Sequence, residues 1–337
     1  MRSRASPRCA PLSGADLNTG FPDGGFYGDH SRCANTRDAQ GHDSSVIRLT
    51  KEEWRRRKQE RREKQRAANI GRAAKMHQLR LEKQKSDPET SRVERATQGP
   101  VFIGCSGWFY WKWRGVFYPD TVPTADWFSY YASHFKTVEI NASFYSWPTD
   151  ANVRAWVKPL GRRRNFVFTV KVSELITHVK RLKGTKTLVR DFGMIGDILG
   201  ERMGCFLFQL PPSYHYTAAR LRALLGQLDS NRRNVIEFRH PSWWNEDVFT
   251  AFRETGTIFC SCSAPRLPDL LVKTADDIYI RFHGTKRWYR HDYSEEELSN
   301  WAVRIKASGA RTSWIYFNND YGAYATKNAR QLSRLLR

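Results

Sequence analysis

The sequence predicts an α/β fold: a single (β/α)8 TIM-barrel-like domain behind a disordered and helical basic N-terminal extension. Three observations carry this prediction. Short apolar runs alternate with amphipathic segments eight times between residues 101 and 337, and eight βα units in roughly 250 residues is the length and period of such a barrel. An open doubly wound sheet would show a glycine-rich phosphate turn opening a helix after its first strand. Here Ile103-Gly104-Cys105-Ser106-Gly107-Trp108 runs straight into Tyr110, Trp111 and Trp113. Finally, polar residues collect at the C-terminal ends of the strands, where barrels of this type carry their sites.

Composition divides the chain before the barrel. Residues 1–47 are rich in Gly, Ser, Asp, Asn and Pro without periodicity and read as disordered. Residues 48–85 read as a basic charged helix. Thr50-Lys51-Glu52-Glu53 fits a capping box. The stretch that follows is Arg, Lys, Glu and Gln with almost no apolar face, so it is expected to be solvated, held by i,i+4 pairs and frayed near Gly71. Residues 86–100 read as a polar linker, and residues 101–337 as the barrel.

Within the barrel, strands are expected at 101–105, 137–141, 165–171, 205–210, 234–239, 257–260, 278–283 and 313–318. Helices are expected at 124–135, 150–160, 187–199, 217–228, 243–254, 294–307 and 324–336, with a weaker helical piece at 267–273. Ser294-Glu295-Glu296-Glu297 supplies a second capping box.

The net charge is +22, and residues 101–337 alone hold 34 Lys and Arg against 21 Asp and Glu. That excess favours anionic partners: a small phosphorylated or otherwise anionic substrate, and nucleic acid through residues 48–85. The alternative for that helix is a solvated charged face with no specific partner. Aromatic residues make up 13% of the chain, enough for a large core. Six cysteines form no CxxC pair and no zinc spacing, so reduced thiols are expected. No run of about 18 apolar residues and no apolar leader core occurs, so a membrane is not expected as a partner. A cytoplasmic location is expected, with nuclear or organellar targeting by the extension left open.

The strand ends supply the candidate site. Strand two carries Glu139 and Asn141 on one face, strand three ends at Lys171, strand four at Gln209, and strand five carries Glu237 and Arg239. Strand seven places Tyr279, Arg281 and His283 on one face, and strand eight ends in Asn318 and Asn319. Trp108 follows strand one, and His178 follows strand three. Glu237, Glu139 and His283 are the candidate catalytic residues. Arg239, Arg281, Lys171, Gln209, Asn141, Asn318, Asn319, Trp108 and His178 are the candidate substrate-binding residues.

Six ordered motifs carry a resemblance: Ile103-Gly104-Cys105-Ser106-Gly107-Trp108, Thr137-Val138-Glu139-Ile140-Asn141, Phe208-Gln209-Leu210-Pro211-Pro212, Glu237-Phe238-Arg239-His240, Arg281-Phe282-His283-Gly284 and Phe317-Asn318-Asn319-Asp320. Together they resemble the YecE-like family, the proteins of domain of unknown function 72 (DUF72), from about residue 102 to the C-terminus. The resemblance implies a TIM-barrel-like fold and no established reaction. It also implies an Asp before the Pro of strand six, where this chain has Ser263.

The residues leave three functions open. The leading one is a hydrolase or transferase acting on an anionic, phosphate-bearing substrate. Arg239 and Arg281 would hold the anion bidentately, Glu237 would be the base, and His283 would be acid, base or ligand. A glycosidase would instead use Glu139 and Glu237 as paired carboxylates, yet the arginines beside them would hold them ionised. A non-catalytic anion- or RNA-binding barrel is the third. No cofactor is predicted. Glu139, Glu237, His283, His240 and Asp320 offer ligand types for a divalent metal, but no metal-binding spacing occurs. A forked arginine contact to either carboxylate would mark a buried ion-pair network.

Overall fold

A computed structural model describes residues 50–86, 101–161 and 163–337. The expectations for residues 1–47 and for the linker beyond Ser86 lie outside the described residues. All eight strands form, and all are parallel: β1 (Val101–Cys105), β2 (Thr137–Ile140), β3 (Val167–Lys171), β4 (Met203–Gln209), β5 (Asn234–Glu237), β6 (Ile258–Ser263), β7 (Asp277–Phe282) and β8 (Thr312–Phe317). The hydrogen-bonded order is β1-β8-β7-β6-β5-β4-β3-β2. The helices are α1 (Lys51–Ser86), α2 (Trp127–His134), α3 (Ala142–Tyr145), α4 (Asp150–Val157), α5 (Lys186–Leu199), α6 (Ala218–Leu225), α7 (Glu246–Thr255), α8 (Glu295–Ala307) and α9 (Tyr324–Leu335).

A side chain closes the ring at its one seam without ladder bonds. Tyr131 of α2 is fully buried, and its hydroxyl accepts from Cys105 N of β1 at 2.7 Å while donating to Thr137 O of β2 at 3.0 Å. The two backbones meet there because β1 carries Gly104; a Cβ at that position would lie 2.3 Å from Thr137 O.

Strand alternation sorts the core into two parts. One face of the strands packs under the helices through Ile140, Phe168, Phe208, Ile236, Phe238, Phe282 and Phe317. The other fills the barrel with Cys205, Leu207, Val235, Cys260, Cys262, Tyr279, Trp314 and Tyr316. Within it, Tyr316 Oη pairs with Thr137 Oγ1 at 2.7 Å and with Thr169 Oγ1 at 2.8 Å. Burial on both faces explains why the strands read as nearly unbroken apolar runs.

Two expectations need correction. Residues 267–273 are not helical. They run beside β6 with their backbone committed: Val272 N donates to Ser261 Oγ at 2.9 Å, and just beyond them Thr274 Oγ1 takes Phe259 N at 2.9 Å and donates to Thr257 O at 2.7 Å. The second correction concerns α1, which is neither free nor frayed at Gly71. It lies against the barrel through a mostly polar stripe. Arg62 and Arg66 hold Glu174 at 2.9 and 3.2 Å, and Arg80 and His77 hold Asp191 of α5 at 2.7 and 3.0 Å. Between them Asn69 bonds Tyr145 O and Trp147 N, both at 2.9 Å, and Ala73 and Met76 are buried. The capping box at Ser294 forms as expected: Ser294 Oγ accepts from Glu297 N at 3.1 Å, and Glu297 Oε2 accepts from Ser294 N at 2.9 Å.

Candidate active site at the barrel mouth

Above the Tyr316 layer, β2, β5 and β7 bring three charged side chains to one point. Arg281 Nη1 lies 2.5 Å from Glu237 Oε2, and its Nη2 lies 2.6 Å from Glu139 Oε1. None of the three is exposed. Glu139 Oε2 also accepts from Tyr279 Oη at 2.5 Å, and Arg281 Nη2 reaches Ser106 Oγ at 3.4 Å. One guanidinium therefore occupies the space between the two carboxylates, the forked arrangement expected of a buried ion-pair network.

The network continues upward. Arg239 Nε pairs with Glu237 Oε1, and Arg239 Nη2 lies 3.3 Å from His283 Nε2. The indole of Trp288 packs on the Arg239 guanidinium at 4.5 Å. His283 Nδ1 meets Asn318 Nδ2 at 3.2 Å. Burial alone would raise the Glu237 pKa, but Arg239, Arg281 and His283 together hold it well below the usual carboxylate range. Burial, Arg239 and Arg281 push His283 well below its ordinary value, so its imidazole is neutral at pH 7.

Lys171 stands apart from this pairing. It lies at the end of β3, 8% exposed, with Nζ over the ring of Phe144 at 4.2 Å. Among the described residues it makes no ion pair, because Arg281 and Arg239 already hold both nearby carboxylates. Burial first, and then the Arg281 charge, lower its pKa from 10.5 to about 7. His178, half-buried on the turn after β3, meets the same Phe144 ring at 4.9 Å. Burial and the Lys171 charge lower its pKa to about 4.

The remaining candidates divide. Asn141 donates to Ser106 O at 3.2 Å and keeps Oδ1 buried without a hydrogen bond. Gln209 lies in register with Glu237, half-buried. Asn319 is not brought to the mouth: its Nδ2 holds His291 O and Asn328 Oδ1, both at 2.8 Å, which fastens the β7 loop to α9. Trp108 packs on Phe128 of α2 at 4.6 Å and belongs to the aromatic layer there. Ser263 is buried and accepts from Tyr293 Oη at 2.8 Å, so β6 sends no carboxylate to the site.

The site also uses groups the sequence reading passed over. Tyr279 was on the right strand face but was assigned no role, and Phe144 in the short helix α3 and Trp288 in a turn sit where an aromatic gives no signal of its own. Arg62 joins the rim because α1 docks there, where it pairs with Glu174 of the turn after β3.

For a metal, Glu237, Cys260 and Cys262 offer ligand atoms within 4.8 Å of one another. The Glu237 carboxylate is already paired with Arg239 and Arg281, whose positive charges oppose a cation there, and burial and the neighbouring Cys262 raise the metal-free Cys260 thiol well above its ordinary value.

The comparisons with known proteins agree with this architecture. The family described as "Protein of unknown function DUF72" matches residues 102–337. The chain belongs to the DUF72 family. The UPF0759 protein YunF of Bacillus subtilis is similar at 25% identity over 272 residues, covering 70% of this chain and 94% of that protein. The crystal structure of a DUF72 protein from Thermotoga maritima superposes with a TM-score of 0.63 at 29% identity, covering 70% of this chain and 98% of the other. A DUF72 protein from Enterococcus faecalis, at 19% identity, shares the fold with a TM-score of 0.60, covering 70% of this chain and 95% of the other. Helix α1 precedes the DUF72 match, yet it packs on loops of the DUF72 barrel beside the mouth. No helix among the described residues is long and apolar enough to cross a membrane.

Proposed function

We propose that the barrel mouth binds a small anionic molecule, bearing phosphate or carboxylate, as the substrate of a hydrolase or transferase. The observation that carries this reading is Lys171, a buried ammonium with no carboxylate partner among the described residues. An unpaired buried charge costs several kcal/mol. An anion docking on Nζ removes that cost, and Arg239 alongside adds a planar donor. Gln209, Asn318 and the unpaired Asn141 Oδ1 give the mouth neutral hydrogen-bonding groups for orienting the rest of the molecule.

Glu139 and Glu237 enter this reading as the scaffold that fixes Arg281 and Arg239. Glu237 is a poor base while three groups stabilise its charge, so the neutral His178 imidazole at the rim is the better proton acceptor. The glycosidase alternative gains no support, because the Arg281 guanidinium fills the gap in which a glycosidic oxygen would sit.

Calorimetric titration with inorganic phosphate and with pyrophosphate tests the reading. Saturable binding, weakened at least about tenfold by Lys171→Met, is expected. Equal binding by wild type and variant, or none by either, overturns it.

One observation favours a second, separate reading for α1. With Arg62, Arg66 and Arg80 used in docking, Arg55, Arg56, Arg57, Arg61 and Lys64 remain exposed. A nucleic-acid contact through them predicts affinity that falls steeply with salt and is lost when these five are replaced by Gln.

A further inference from the structure

We propose that Lys171 is a carbonyl-directed nucleophile, which forms a Schiff base with a small aldehyde or ketone carrying a phosphate or carboxylate group. This names a substrate class for the mouth and rests on the anion-binding reading above.

The mouth offers few other nucleophiles. Burial raises the thiols of Cys105, Cys205 and Cys260 well above their ordinary value, so none is a thiolate at neutral pH. Ser263 Oγ is taken by Tyr293, and the two carboxylates are held in the Arg281 fork. Among the described residues, Lys171 is the amine that combines an unpaired nitrogen with a place at a strand end facing the cluster.

Its surroundings favour the free amine. Arg281 and Arg239 press on it from β7 and β5. Glu237 and Glu139 oppose them from β5 and β2, but both are already paired. His178 lies on the turn after β3, where Glu174 and Arg62 of α1 also sit. A lysine with a pKa of about 7 is about half neutral at pH 7, roughly a thousandfold more than an ordinary lysine. Lysines are activated in this way beside other cations and in apolar pockets, and Phe144 supplies the apolar wall.

In the step itself, the Nζ lone pair attacks the carbonyl carbon. A C–N bond forms and the C–O π pair moves to oxygen, which takes a proton, giving a carbinolamine. The C–O bond then breaks and water leaves. The balance is one amine, one carbonyl and one proton giving one iminium and one water. The substrate's anionic group stays on the Arg239 side of the mouth, and the neutral His178 stands by the same Phe144 ring as a proton acceptor.

The test uses the full chain with glycolaldehyde phosphate and with glyoxylate, each with and without borohydride, followed by peptide mass spectrometry. Hydride adds to the iminium carbon and leaves a stable secondary amine. We expect Lys171 to be modified at least about tenfold more than the exposed Lys112 and Lys286, with labelling that rises between about pH 6 and about pH 8. Labelling of Lys171 no greater than that of the exposed lysines overturns the proposal. If inorganic phosphate binds in a Lys171-dependent way but no adduct is trapped, the Schiff base fails and the anion reading stands. If propionaldehyde, which has no anionic group, labels Lys171 equally and phosphate does not compete, the amine stands and the anion reading fails.

Discussion

Arg281 Nη1 lies 2.5 Å from Glu237 Oε2, and neither side chain is exposed. A pair this deep is stabilising only while every charge keeps its partner, because desolvating each ion costs several kcal/mol. Arg281 has two carboxylates to serve, and Arg239 serves one of them again. The charges of this cluster therefore stand or fall together.

Replacing Arg281 with Met should thus cost about 3–5 kcal/mol, because it strands Glu139 and half-strands Glu237. Chemical denaturation of R281M measures the loss. Adding Glu139→Gln to R281M should recover part of it, since a neutral amide costs less to bury than an unpaired carboxylate. A double mutant less stable than R281M alone would show that Arg281 is not what holds Glu139.

Lys171 carries the pH dependence, and its sign is fixed by the direction of the shift. Its pKa is lowered from 10.5 to about 7 on folding. Below about 7 both states hold the proton and the buried charge is a full burden. Between the two values the unfolded chain binds more protons than the folded one, so stability rises with pH. Wild type should accordingly gain on Lys171→Met as pH rises from about 7 to about 10, with a limiting slope of about 1.4 kcal/mol per pH unit. Glu139, Glu237, Arg239, Arg281 and His178 face Lys171 in both proteins, so the difference isolates the lysine. A flat difference would show that the amine is not buried charged. The same titration weakens anion binding as pH rises through about 7, opposite to the rise expected for Schiff-base trapping.

The barrel seam gives a local test. Tyr131→Phe removes one hydroxyl and leaves Cys105 N and Thr137 O buried without that partner. A buried unsatisfied group costs about 1–3 kcal/mol. Hydrogen exchange should show the Cys105 amide as the most deprotected of the β1 amides in Y131F. Unchanged protection there would mean that water or backbone closes the seam.

What could be read beforehand followed the physics of each element. Strands buried on both faces announce themselves as apolar runs, and all eight were legible. The polar strand ends were legible too, because a charge in such a run needs a reason. The pairing within the cluster was not: Glu139, Glu237 and Arg281 lie on three strands, and sequence spacing says nothing about which atoms meet. Asn318 and Asn319 show a finer limit. Neighbours on a strand end face opposite ways, and only Asn318 reaches His283. The docking of α1 was hidden because its inward stripe is Arg62, Arg66, Asn69, Ala73, Met76 and Arg80, which has helical spacing but little apolar character.

That stripe supplies the last prediction. Glu174 and Asp191 are almost fully buried, while the arginines over them are 14% to 48% exposed. The barrel side of each contact is thus fixed and the helix side partly solvated, so each clamp is worth less than a buried pair, about 1–2 kcal/mol. In Glu174→Gln or Asp191→Asn, α1 should detach locally while the barrel stays folded. Trypsin should then cut within Arg62–Arg80 at least about fivefold faster than in wild type, with the melting transition of the barrel little changed. The two substitutions act at opposite ends of one rigid helix, and the Asn69 contacts to Tyr145 O and Trp147 N lie between them. The double variant should therefore be cut faster than either alone. It should also raise the His178 pKa if α1 withdraws the Arg62 charge, although loss of the Glu174 charge works against this in any variant with Gln at 174. Asp191→Asn keeps Glu174, so an NMR titration of His178 in that variant reads the withdrawal of α1 without that complication. No change in either proteolysis or titration would show that α1 is held by its apolar contacts, Ala73 and Met76, rather than by the charge clamps.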